Sequence, residues 1–134
     1  MSLDFADVNW VAVIIAAVAG IVVGFVWFAP PVFGRRWARA SGIELPEGQA
    51  QPVIGAVVTV LVTAYVLAVL SRGLGAATLV DGAILGVVVW LGFVATWLVN
   101  TALFEGRSTE WWAINAGQAI VSFVIQGAII GFLA

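Results

Sequence analysis

The stretch WWAINAGQAIVSFVIQGAIIGFLA, Trp111 to Ala134, decides the fold. It is apolar for long enough to cross a bilayer, because a hydrocarbon core of about 30 Å takes roughly 20 residues at about 1.5 Å each. On a helical wheel Asn115, Gln118, Ser122 and Gln126 stack in one narrow stripe, while Ala113, Gly117, Gly127 and Gly131 gather on roughly the opposite side. The amides need partners in a medium without water, and the glycines let another helix approach closely. This span is therefore expected to lie between neighbours.

The rest of the chain is of the same kind. Its 134 residues are 63% hydrophobic and 9% charged, more apolar surface than a soluble domain of this length could bury. The sequence predicts an all-α polytopic membrane protein, one antiparallel bundle of four transmembrane helices spanning residues 9–28, 53–70, 81–104 and 111–134. The start, Met1 to Asp7, lacks the basic region of a secretory signal, so the first apolar run reads as a retained helix.

That first span opens near Asp4 and Asp7 and closes at Pro30-Pro31, which cannot continue helical hydrogen bonding. Gly20 and Gly24 mark its packing face; Asn9 and Trp27 place groups able to hydrogen-bond at the two ends of the same side. After it, Phe33 and Trp37 interleave with Arg35, Arg36 and Arg39, the pattern of a short interfacial helix stopped by Gly42. Glu44 to Gln51, bracketed by Pro46 and Pro52, reads as a loop. In the second span Thr59 and Thr63 are expected to bond back to carbonyls one turn earlier. Thr78 and Asp81 form a cap for the third span, which carries Gly82, Gly86, Phe93, Trp97, Asn100 and Phe104 on one broad face. Asn100 is expected to bond to another helix. Ser108 and Glu110 begin the fourth span.

The absent residue types narrow the chemistry. With no His, Cys or Lys there is no thiolate, no imidazole base and no metal-ligating set, so no catalytic residue, metal site or cofactor is expected. The carboxylates fall at predicted span ends or in loops, which argues against an enzyme and against proton-coupled export. A net charge of −2 gives no basic field for nucleic acid. Arg35, Arg36, Arg39 and Arg107 fall on one side of the membrane and Arg72 on the other, so both termini are expected on the non-cytoplasmic face of a cytoplasmic (inner) membrane.

The halves echo each other. Gly24-Phe25-Val26-Trp27 and then Phe33-Gly34-Arg35 correspond to Gly92-Phe93-Val94 with Trp97 and then Phe104-Glu105-Gly106-Arg107, the pattern of a parallel two-helix internal repeat. At these residues the chain resembles domain-of-unknown-function family 1761, small four-helix and mainly bacterial membrane proteins. The shared features are Asn9-Trp10, Trp27-Phe28-Ala29-Pro30, Phe33-Gly34-Arg35-Arg36-Trp37, Phe104-Glu105-Gly106 and Ile114-Asn115. Relatives commonly have Tyr where this chain has Phe28, so a hydroxyl is lacking there. The resemblance implies a four-helix membrane fold and no activity.

Two functions from different classes remain. The favoured one is a structural or accessory helix-packing protein, surrounded by membrane lipid and compatible with a homo-oligomer. The alternative is an uncoupled channel or pocket for a small neutral or amphiphilic molecule, lined by Asn115, Gln118, Ser122, Gln126 and Asn100, with Asn9 a further polar candidate. What separates them is whether the stripe faces a space or a partner helix.

Overall fold

The computed structural model describes residues 2–44 and 50–134. Every regular element among them is helical, and four helices are long and apolar enough to cross a membrane: Trp10–Trp27, Pro52–Leu74, Leu79–Glu105 and Thr109–Phe132. The protein is thus an all-α bundle with span-like helices at the expected places.

Local chemistry sets the helix ends. Helix α1 (Trp10–Trp27) starts on Asn9, whose side-chain oxygen accepts from the Ala12 N–H at 3.2 Å. It stops before Pro30-Pro31, where Ala29 is extended as a residue before proline must be. A π-helical turn, Pro30–Gly34, then leads into α2 (Arg35–Ser41), which ends on Gly42 at a left-handed φ of 71°. This is the short helix expected after the first span. Helix α3 (Ala50–Leu74) tolerates Pro52 because N–H groups in a first turn have no helical acceptor. It begins inside the stretch read as a loop, of which residues 45–49 lie outside the described residues, and it continues past the expected end at residue 70.

The third span is α4 (Leu79–Val89), a π-helical segment (Trp90–Ala95) and α5 (Thr96–Glu105). Thr78 caps it by accepting from the Asp81 N–H at 3.1 Å, and Ser108 caps α6 (Thr109–Phe132) in the same way through Trp111 at 3.1 Å. Both caps were legible as sequence patterns. The π segment was not, and it changes the packing. It winds more widely than an α-helix, so residues after it leave the face set by residues before it. Gly82 and Gly86 are buried against α6, whereas Phe93, Trp97, Asn100 and Phe104 all point away from the bundle. The single broad face expected of this span is therefore two faces, and Asn100 bonds to no other helix among the described residues.

Helix α6 touches every other helix. Its closest partner is α4. A methyl added at Gly82, Gly127 or Gly131 would run into facing backbone, and one at Gly86 would meet the Phe123 carbonyl, so these chains meet main chain to main chain. Of the remaining glycines expected at contacts, Gly20 and Gly117 do pack, against Gln126 and Trp27. Gly24 does not: nothing lies within 4 Å of a methyl placed there.

The reason is the tilt of α3. Its buried residues, Ala64, Leu67, Ala68, Val69 and Ser71, all lie in its second half, where Ala64, Leu67 and Ala68 join Val13, Ala16 and Ala17 of α1 and Ile130 of α6 in the core. Its first half leans away from α1. Helices α1 and α3 thus pack together over the second half of α3 and diverge toward its start.

Candidate functional site

Helix α1 is stitched to α6 at both ends, as the shared side of Asn9 and Trp27 suggested. Asn9 Nδ2 donates to the Leu133 carbonyl at 3.0 Å, satisfying one of the acceptors left over at the end of α6. Trp27 Nε1 donates to the Ile114 carbonyl at 3.0 Å near the other end. Two more indoles bridge the third and fourth spans: Trp90 Nε1 donates to the Ala116 carbonyl at 2.9 Å, and Trp112 Nε1 to the Ala95 carbonyl at 3.2 Å. Trp90 and Ala95 are the first and last residues of the π segment. From the first residue of α5, the Thr96 hydroxyl bonds back into the π segment, to the Gly92 carbonyl at 2.9 Å. The Trp90 and Trp112 bridges were not recognised from sequence. Their only signal is the abundance of Trp, seven in 134 residues, with several located well inside spans.

The motif residues assemble one corner of the bundle. Phe33 packs on Trp27 with ring centres 4.6 Å apart, and Phe28 meets Trp37 edge-on at 5.3 Å. A side chain at Gly34 would strike the Phe28 carbonyl. Gly106 takes a φ of 67°, which turns Arg107 back to donate to the Ser41 carbonyl at 3.0 Å while its guanidinium lies 5.5 Å over the Trp111 ring. Arg36 pairs with Glu110 at 3.3 Å. Arg35, Arg36, Arg39 and Arg107 thus share one edge of the bundle, while Arg72 pairs with Asp7 at 2.6 Å at the other. The proposed internal repeat is uneven here: Trp27 is anchored to α6, but its counterpart Trp97 is 70% exposed.

The stripe of α6 divides into three environments. Asn115 is half-buried and turns back on its own helix, donating to the Trp111 carbonyl at 2.9 Å. Ser122 and Gln126 are buried, with Gln126 Nε2 donating to Ser122 Oγ at 2.8 Å and the amide lying over Gly20. Gln126 Oε1 is buried without a hydrogen-bond partner among the described residues. Gln118 lines an open space, the cleft of about 370 Å³ between the splayed halves of α1 and α3. Gly20, Gly24 and Phe28 form one wall, Ala56, Thr59 and Val60 the other. Thr59 and Thr63 bond to the Ala56 and Thr59 carbonyls at 3.0 and 2.9 Å, the back-bonds expected of them. Asn9 belongs to a separate cavity of about 360 Å³ at the Arg72 edge. The six polar side chains singled out from sequence therefore do not surround one space.

No group of three or more Asp, Glu, His or Cys that could hold a metal ion occurs among the described residues. Fold and site together define a polytopic helical bundle of the membrane-spanning type, its fourth helix tied by indoles to the spans around it. The chain belongs to the DUF1761 family of proteins of unknown function, whose model matches residues 11–131. No curated protein and no solved structure matches it.

Proposed function

We propose that the protein is a non-catalytic accessory membrane protein that acts through the surface it presents to neighbouring chains, beginning with a second copy of itself. The observation that carries this reading is the outer face of α5 and the π segment. Phe93, Trp97 and Phe104 are 77%, 70% and 86% exposed, and Asn100 stands exposed among them. Asn100 lies about 8 Å along the axis from Glu105 at about 1.5 Å per residue, deep enough that lipid offers its amide no good partner. An amide carries both donor and acceptor, so two copies of Asn100 related by a two-fold axis satisfy each other. The channel alternative has less behind it, because Asn115, Ser122 and Gln126 bond within α6, and Gln118 is the member of the stripe that lines the α1–α3 cleft. The basic edge is assigned to the cytoplasmic side of an inner membrane on the positive-inside rule, with both termini on the other side.

The absence of cysteine makes the test clean. Asn100→Cys in membranes should form disulfide-linked dimers on mild oxidation, and Val58→Cys, on an exposed face of α3, should not. Asn100→Leu should weaken dimers seen in native gels. Monomers at every concentration tried, or equal cross-linking at both positions, would overturn the reading. Ser2→Cys, labelled by an impermeant maleimide from the non-cytoplasmic side only, checks the orientation.

A further inference from the structure

The cleft between α1 and α3 is independent of the self-association just described. It is bounded by two spans and backed by α6, so it opens sideways, into the hydrocarbon. Along α1 it runs from Gly20 to Phe28, roughly 12 Å at about 1.5 Å per residue, most of one leaflet of a core about 30 Å thick. Its walls are largely apolar, and Gly24 borders space in which no neighbouring side chain or facing backbone lies within 4 Å of an added methyl. A groove of this shape and depth suits a single acyl chain, with the Gln118 amide the one polar group of α6 in its lining.

What stands at its mouth identifies the rest of the molecule. Phe28, in the cleft wall, contacts Trp37 of α2, and that helix carries Arg35, Arg36 and Arg39. Arg36 is engaged by Glu110, and Arg107 by Glu105. Arg35 and Arg39 are exposed and lie in no ion pair among the described residues, with Glu44 the remaining described carboxylate at that edge. We propose that the α1–α3 cleft is a binding site for an anionic phospholipid, with one acyl chain between Gly24 and Ala56, and the headgroup phosphate on Arg35 and Arg39.

The test uses the whole chain in nanodiscs of phosphatidylcholine doped with phosphatidylglycerol carrying a photoactivatable acyl chain, with mass-spectrometric mapping of the adducts. Adducts should concentrate on Gly20–Phe28 and Pro52–Val60. Gly24→Leu fills the cleft where nothing opposes the new side chain, so the variant should fold and lose most cleft labelling; Ala56→Leu does the same from the facing wall. The double variant Arg35→Gln/Arg39→Gln should lower the preference for phosphatidylglycerol over equally labelled phosphatidylcholine, each arginine being worth about fivefold. Labelling spread evenly over all four spans, cleft labelling unchanged by both filling variants, equal labelling by the two lipids in wild type, or cross-links from the cleft to protein instead of lipid would each overturn the assignment.

Discussion

The side-chain amide of Gln126 occupies the space that a methyl group on Gly20 would need. Glycine at one position therefore makes room for glutamine at another, and their effects are coupled. Gly20→Ala should destabilise the bundle by about 1–3 kcal/mol in reversible detergent unfolding. Gln126→Ala in the same chain should recover part of that loss, and strictly additive effects would show that the two do not compete for space.

Gln126 also carries the buried oxygen without a partner, and an unsatisfied buried acceptor costs about 1–3 kcal/mol. Gln126→Met keeps the volume and removes that acceptor; Ser122, left without its donor, can turn its hydroxyl to a carbonyl one turn back. The variant should be at least as stable as wild type. A loss above about 1 kcal/mol would mean that Oε1 has a partner in the membrane, such as a bound water.

The glycines separate into two groups with opposite expectations. Gly82→Ala and Gly127→Ala press a methyl into facing backbone and should each lose about 2–4 kcal/mol. Gly24→Ala, bordering the open cleft, should be neutral or gain up to about 1 kcal/mol from helix propensity. Similar losses at all three positions in a thermal-shift series would contradict the packing described.

Three indoles tie α6 to its neighbours, and that of Trp97 does not. Trp27→Phe, Trp90→Phe and Trp112→Phe should each lose about 0.5–1.5 kcal/mol, toward the lower end because each acceptor carbonyl lies within a helix. Trp97→Phe, on the outer face, should change monomer stability by less than about 0.5 kcal/mol.

Before α1, Asp4 Oδ1 accepts from the Ala6 and Asp7 backbone N–H groups at 3.0 and 3.2 Å, and these bonds hold its carboxyl below the ordinary 3.8. Because the folded value is the lowered one, the turn's contribution is complete above pH 3.8 and is lost as pH falls through that lowered value. The Ala6 and Asp7 amide resonances should therefore titrate with a midpoint below 3.8, and Asp4→Asn should abolish the titration. A midpoint at or above 3.8 would refute the cause assigned.

How much of this was readable in advance follows from what lipid does to the sequence signal. Span positions, the Thr78 and Ser108 caps and the Gly42 stop were legible, since they rest on length, polarity and backbone chemistry. Which apolar side chains face inward was not, because hydrocarbon is as apolar as a helix interface and both faces of α3 read alike. Only small residues give a hint, and that hint failed where α3 leans away: Gly20 packs and Gly24, one turn on, does not. Asn100 went astray for a different reason. A wheel drawn at a uniform 3.6 residues per turn cannot register the wider winding of Trp90–Ala95, so Trp97, Asn100 and Phe104 beyond it were grouped with the Gly82 and Gly86 face.

That α6 touches every other helix also bears on the order of events during synthesis. The chain emerges from its amino end, so α1, α3 and the third span enter the membrane before the helix that accepts the Trp27 and Trp90 indoles and receives the Gly82 and Gly86 face. Until α6 arrives, those donors and that narrow backbone groove have no partner, and only the contacts of α3 with α1 and α4 can form in their final shape. Assembly should then proceed late and in one step, and a chain stalled before Thr109 would present its unmatched surfaces to membrane quality control.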